Sequence, residues 1–237
     1  MKKSVVVILI GLTSSLVLAA AAEAQYRHGN RYNAPSFRIQ LGKFQPDGES
    51  SYWDGSAFDF DRQADDFEDS VLGLSYLRPL GSRLGLQISG FFYEGSEDLA
   101  YVRFEDQFGG DIVHTTELEL AALTVGLIYN FTGPDAALVP YVGAGGGLYG
   151  WRLAEFGDFI DFDDPQLEIF EDSFEDESEE LGFYFTAGLE VPLADTFSIF
   201  AEARWDSAEA NLAGDFRGLG KLDLSGRSYS AGLSFSF

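Results

Sequence analysis

Two histidines and several crowded carboxylates are the residues whose types invite a chemical reading. His114 stands in "DIVHTTELE", where Thr115, Thr116 and Glu117 would supply a hydroxyl nucleophile and an acid. Neighbours along a strand point to opposite faces, so these four cannot converge on one reacting atom. His114 is therefore expected to be a solvated histidine, and His28 lies in the polar segment "YRHGNRYNAP". Residues 145–150, "GGGLYG", match the spacing G-x-G-x-x-G of a dinucleotide fingerprint. That motif holds a pyrophosphate against the N-terminus of a following helix, whereas an acidic stretch follows here. These glycines are read instead as allowing tight curvature or close approach of neighbouring side chains.

The carboxylates suggest loose binding of Ca²⁺ or Mg²⁺, with Asp161, Asp163 and Asp164 as the candidate ligands and no resident cofactor. "DFDRQADDFEDS" at 59–70 resembles a calcium loop only in part, because it lacks the glycine at its sixth position and the glutamate at its twelfth. The charge is unevenly distributed. Residues 153–203 contain no Lys or Arg, and Glu155 to Glu180 holds 13 Asp and Glu. Within this acidic run, "DPQLEIFEDSF" reads as a short helix, with Asp164 as N-cap and Leu167, Phe170 and Phe174 as its apolar stripe. The competing expectation is that so many carboxylates keep residues 154–180 disordered.

Composition narrows the class. A formal charge of −24 excludes a nucleic-acid binder, whose phosphates require a basic face. Lys2 and Lys3, the apolar stretch "VVVILIGLTSSLVLAA" and the small residues Ala22 to Ala24 form a secretory signal peptide over 1–24, so the mature chain is expected to begin at Gln25. Residues 25–35 then form a periplasmic tail. No later stretch approaches the roughly 20 consecutive apolar residues of a membrane-spanning helix. The chain has no cysteine, so disulfides contribute nothing to its stability.

The elements that position these residues are strands. Strict alternation sets Phe37, Ile39 and Leu41 against Arg38, Gln40 and Gly42. It recurs in "VLGLSYL", "LGLQISGFFY", "ALTVGLIYNF", "LGFYFTAGLEV" and "FSIFAEARW", with a noisier version in the glycine-rich "PYVGAGGGLYGW". The final segment sets Tyr229, Ala231, Leu233, Phe235 and Phe237 against small and polar residues. Short connections rich in Pro, Gly and Asp alternate with long ones at 45–66, 94–116, 154–180 and 206–222. The pattern is that of an all-β, up-and-down antiparallel transmembrane β-barrel of eight strands over 36–237, with short periplasmic turns and long external loops. A soluble lipocalin-like barrel or sandwich would turn its bulky apolar face inward, and here the opposite face is small and polar. Arg38, Gln40, Glu190, Glu202 and Arg204 then point into the lumen, where unpaired charge is costly, so Glu202 and Arg204 are expected to couple directly or through a neighbouring strand. Phe235 and Phe237, with Tyr76, Tyr129, Phe131 and Phe197, belong to an aromatic girdle at the periplasmic rim.

On this alternation and the terminal Phe237, the chain resembles the eight-stranded outer-membrane β-barrel family of OmpX, the opacity proteins and the transmembrane domain of OmpA. The resemblance implies a bacterial outer-membrane location among lipid and lipopolysaccharide. It also implies that Tyr229, Leu233, Phe235 and Phe237 form the C-terminal signal read by the barrel-assembly machinery. A few barrels of this size modify lipid A using a histidine with a serine and an acid. The expected function is a non-enzymatic scaffold whose acidic external loops meet ions, lipopolysaccharide or an external ligand whose identity the sequence does not encode. The alternatives are a narrow porin-like channel and, third, a lipid A modifying enzyme.

Overall fold

The computed structural model describes residues 34–61, 63–133, 136–162 and 164–237, with the backbone alone at 56–59. The signal peptide, most of the N-terminal tail and Asp163 lie outside the described residues. The barrel strands are β1 (Ser36–Pro46), β2 (Asp69–Pro79), β3 (Leu84–Glu105), β4 (Asp111–Asn130), β5 (Val139–Ile160), β6 (Ile169–Ala194) and β7 (Phe197–Ser207). After two short strands, β8 (Glu209–Asn211) and β9 (Lys221–Asp223), the last strand β10 (Gly226–Ser236) returns to the barrel. The ring runs β1-β10-β7-β6-β5-β4-β3-β2, antiparallel throughout. Closure pairs Phe37 with Phe235 and Ile39 with Leu233, leaving the membrane-level sheet without an edge, as hydrocarbon requires.

Strand lengths fall into two groups. β1, β2, β7 and β10 have 11 residues each, close to the span of a tilted membrane strand. β3, β4, β5 and β6 have 22, 20, 22 and 26 residues. Their upper halves therefore continue past the barrel as a four-stranded wall. This corrects the reading of 94–116 and 154–180 as loops: only 106–110 and 161–168 lie between strands there. The acidic run 169–180 is neither helical nor disordered. It is the first half of β6, paired residue for residue with β5 from Ile160↔Ile169 onward. Phe170 and Phe174 do share a face, but through strand parity, and both rings pack on Phe159.

The other two connections fold inward. Residues 45–68 contain a nine-residue helix, α1 (Ser51–Asp59), and a 3-10 turn at Ala64–Phe67, while 208–225 contain the β8–β9 ribbon and a second turn at Gly214–Phe216. They pack between the short strands and the inner face of the wall. Phe60 makes an isolated bridge to Tyr101 on β3, and Ala213 N donates to Asp176 Oδ2 on β6 at 2.7 Å. Both flanks of the wall thereby gain a partial cover.

In the membrane half the outward residues are apolar on every strand, and Leu41, Leu189 and Phe185 are exposed there. The rim aromatics meet in pairs at the short-turn end: Phe37 with Tyr76 and Phe237, Tyr129 with Phe131, and Phe197 with Phe235. An apolar outer belt on a closed sheet is stable in lipid and unfavourable in water, so the barrel half is membrane-spanning.

Candidate functional site

The lumen holds the polar residues that alternation placed inward. Nearest the periplasmic end, Arg38 on β1 pairs with Glu190 on β6, and its guanidinium lies over the rings of Tyr141 at 5.0 Å and Phe200 at 4.9 Å. The Tyr141 hydroxyl donates to Glu202 Oε2 at 3.0 Å. Further up, Arg204 grips Asp206 on its own strand, with Nε to Oδ1 at 2.9 Å and Nη2 to Oδ1 at 2.7 Å. Tyr149 donates to the same carboxylate at 2.7 Å, and Tyr184 lies under the guanidinium at 3.9 Å while donating to Gln87. Ser89 and Thr124 bond each other at 2.8 Å and complete this layer. Gln40 lines the same small space between Glu202 and Arg204.

Two differences from expectation stand out. Glu202 and Arg204 share a face, but each has another principal partner, Tyr141 and Asp206. Asp206 lies on β7 rather than in the connection expected at 206–222, and its even parity on the inward face of that strand is the signal that marks it. Tyr184 shares the inward parity of Gly182 and Thr186 on β6, whereas Tyr141 and Tyr149 lie where the glycines of β5 blur the alternation. Those glycines make the space the tyrosines fill: a Cβ on Gly145 would lie 2.7 Å from Tyr184 Cε1. The ring can cross a narrow lumen only where its neighbour has no side chain.

Little room remains inside. A cavity of about 100 Å³ opens at the periplasmic end beneath Arg38, bordered by Ser36, Ser198 and Asn130. The space around Arg204 measures about 10 Å³, enough for about one water. Above it an aromatic layer begins, with Phe44 stacked on Phe91 and tilted against Tyr93. That layer merges into a hydrophobic core containing Trp53, Phe67, Leu118, Trp151, Phe216 and Leu222, each at most 3% exposed. The core lies between the inner face of the wall and the two folded connections, so it closes the external end of the barrel.

His114 belongs to this upper half and is not solvated. It is 1% exposed, stacked on Phe159 at 4.9 Å and edge-on to Phe60 at 4.7 Å. Burial lowers its pKa to about 4, so the ring is neutral at ordinary pH. Glu155, also facing inward, accepts the Tyr52 hydroxyl at 2.5 Å, and burial raises its pKa. The outer face of the wall carries the opposite chemistry. Arg152 reaches Glu119 at 2.8 Å, Glu175 at 3.0 Å and Glu117 at 3.8 Å.

Of the suggested cation ligands, Asp161 and Asp164 serve the β5–β6 turn. Asp164 N donates to Asp161 Oδ1 at 3.3 Å, and Asp164 Oδ1 accepts from Gln166 N at 3.1 Å. Among the described residues no three His, Asp or Glu side chains form a cation site. Tyr229, Leu233 and Phe235 project outward from β10, and Phe237 N bonds Pro35 O at 3.1 Å while its ring meets Phe37.

No protein-family model matches this sequence, and no curated protein sequence does. Among solved structures, the outer membrane protein OprG from Pseudomonas aeruginosa is 15% identical, with 88% of this chain and 98% of that one aligned at a TM-score of 0.51. The outer-membrane barrels Neisserial surface protein A (10% identity, 88% and 98%, TM-score 0.46) and Yersinia pestis Ail (12% identity, 87% and 99%, TM-score 0.43) align more loosely. The closed eight-strand order, the apolar belt and the superposition on OprG agree, and by fold this chain is an eight-stranded transmembrane β-barrel of the kind OprG shows.

Proposed function

We propose that this protein is a closed scaffold in the bacterial outer membrane, whose functional surface is the sheet wall standing outside the cell. The observation that carries the reading is the hydrophobic core over the external end of the lumen. A conducting pore needs a continuous wet path, and the space beside Arg204 holds about one water below a layer of aromatic rings. Paired charges and tyrosine hydroxyls then act as a polar plug that stiffens the barrel. A binding role is favoured over catalysis because His114 is caged by Phe60, Tyr101 and Phe159, with no hydroxyl among the described residues bonded to it.

The rest of the chain fits this role. Residues 1–24 direct export, Tyr229, Leu233, Phe235 and Phe237 present the closing strand to the barrel-assembly machinery, and the carboxylates outside Arg152 face the lipopolysaccharide layer, where Ca²⁺ or Mg²⁺ bridges anions. Purified protein in planar lipid bilayers tests the proposal. A silent membrane at moderate voltage is expected, and discrete conductance steps from folded protein would put the narrow channel in its place.

A further inference from the structure

Between the tips of the β3–β4 and β5–β6 hairpins, at the end of the wall farthest from the membrane, lies a groove of about 650 Å³. Its floor is apolar, because Ile112 and Ile160 are buried there with Tyr101. Phe104, Leu167 and Ile169 border it, and Phe108 projects at its side with 87% of its surface exposed. Phe162, packed on Phe104 at 5.4 Å, is a second exposed ring nearby. Glu105, Asp111 and Asp158 form an exposed carboxylate rim, and no Lys or Arg is among the described lining residues. Asp106, which also lines the groove, is used internally: its Oδ1 accepts Phe108 N and Gly110 N, each at 2.7 Å, and these bonds hold its carboxyl below the usual carboxylate range.

A protein does not gain stability by leaving phenylalanines in water, and an apolar patch with a charged rim marks an interaction surface. The sign of the rim limits the occupant. A second copy of this chain, itself at −24, and any polyanion would be repelled. Resting on the scaffold reading above, we propose that this groove docks an extended, basic segment of an external protein, with alternate apolar side chains on the Ile112–Ile160 floor and its Lys or Arg side chains against Glu105, Asp111 and Asp158. Alternation suits the site, since an extended chain sends successive side chains to opposite sides. The hydrophobic contacts hold the segment while the carboxylates select its charge and speed its approach.

The test uses the full-length protein in phosphatidylcholine nanodiscs and a fluorescent peptide of alternating lysine and leucine, with empty nanodiscs subtracted. Saturable binding is expected, weakened about tenfold or more by Asp111→Asn with Asp158→Asn, and similarly by Phe108→Ser with Ile169→Thr. Glu94→Gln with Glu179→Gln removes equal charge from the membrane-proximal wall and should leave binding unchanged. A lysine–serine peptide should bind about tenfold more weakly than the lysine–leucine one. Heat-dependent gel mobility confirms that each variant is folded. Equal weakening by the control pair, equal binding of the serine peptide, or no saturable binding above empty nanodiscs would each overturn the groove. Since the scaffold reading is judged by conductance, a silent barrel that binds no peptide rejects the groove alone, whereas a conducting barrel rejects the scaffold whatever the peptide does.

Discussion

On β4, Leu123 and Val125 face outward while Thr124 and Gly126 face inward; a few residues earlier Glu117 and Glu119 face outward while Leu118 and Leu120 face inward. Side-chain parity never changes along the strand, yet the chemistry of its two faces is exchanged. The same exchange occurs on β3 between Phe92 and Glu94, on β5 between Leu148 and Arg152, and on β6 between Glu179 and Leu181. These positions are neighbours in register, with Glu94 opposite Glu119, Glu119 opposite Arg152 and Leu148 opposite Leu181. One sheet therefore passes through two solvents. In lipid its outside must be apolar and its inside can be polar; above lipid the arrangement reverses and the inside becomes an ordinary protein core. The wall also gains an edge that the barrel lacks, since β6 has no β7 partner above Phe183. Glu175, Glu177 and Glu179 along that flank discourage pairing with other strands.

The largest effect that can probe this comparison lies in the lumen. Arg204→Met leaves Asp206 and the Tyr149 hydroxyl without their cation in a space that holds about one water. The expected loss is about 4 kcal/mol, measured by urea unfolding from lipid vesicles. Combining it with Asp206→Asn should cost less than the sum of the single changes. Glu202→Gln should matter less, because Tyr141 rather than Arg204 is the partner of that carboxylate. Additive and small effects would mean that water enters the lumen freely, and the two halves would then be alike in solvation.

A smaller effect, confined to the upper half, comes from acid. His114 has a pKa of about 4 when folded, below its ordinary value near 6.5, because burial opposes the charged ring. Above pH 6.5 neither state takes the proton, and protonation adds no cost. As pH falls from 6.5 to 4 the unfolded chain is protonated first, so stability is lost across that window, by up to about 3 kcal/mol. Glu155 acts in the opposite sense, since its raised pKa favours the folded state as pH falls. Comparing wild type with His114→Phe isolates the histidine. With Trp205→Phe as background, the remaining tryptophans Trp53 and Trp151 both sit in the external core and report on that half. A pH profile unchanged by His114→Phe would contradict the buried, neutral ring.

How far the sequence revealed this molecule follows from the same exchange. Ile39, Leu41, Val125, Leu127, Leu189 and Ile199 announced the barrel, because a period of two with one greasy face survives inspection of each strand alone. Arg38, Gln40, Glu190, Glu202 and Arg204 were placed inward by the same parity, and all five face the lumen. The wall was illegible because alternation records which residues share a face but not which face meets water. In "FEDESEEL" the inward positions are Phe174, Asp176, Ser178 and Glu180, so only one apolar residue marks the inner side. His114 failed for a related reason: Tyr101 and Phe159 reach it from the strands paired on either side of β4, and Phe60 closes the cage only when the first connection folds over β3.

The smallest effect uses a second arginine. Arg152 and Arg204 both hold carboxylates and both face away from the dominant apolar surface of their half, one outward above the membrane and one inward below it. Arg152 touches Glu117, Glu119 and Glu175, and its side chain is 24% exposed where that of Arg204 is 7%. Water and salt already screen the outer cluster, and ion pairs of this kind contribute roughly 0–1 kcal/mol. Arg152→Met should therefore cost about 1 kcal/mol or less, chiefly through repulsion among the three glutamates it leaves behind. That cost should shrink as salt rises toward about 1 M, where charges more than about 3 Å apart are screened. Arg204→Met should keep its full cost across the same salt range, because ions do not reach its partner. Urea unfolding of both variants at low and high salt makes the comparison. If the Arg152 variant loses as much as the Arg204 variant and responds as little to salt, the outer wall is not behaving as a water-facing surface, and the exchange of solvents along these strands is wrong.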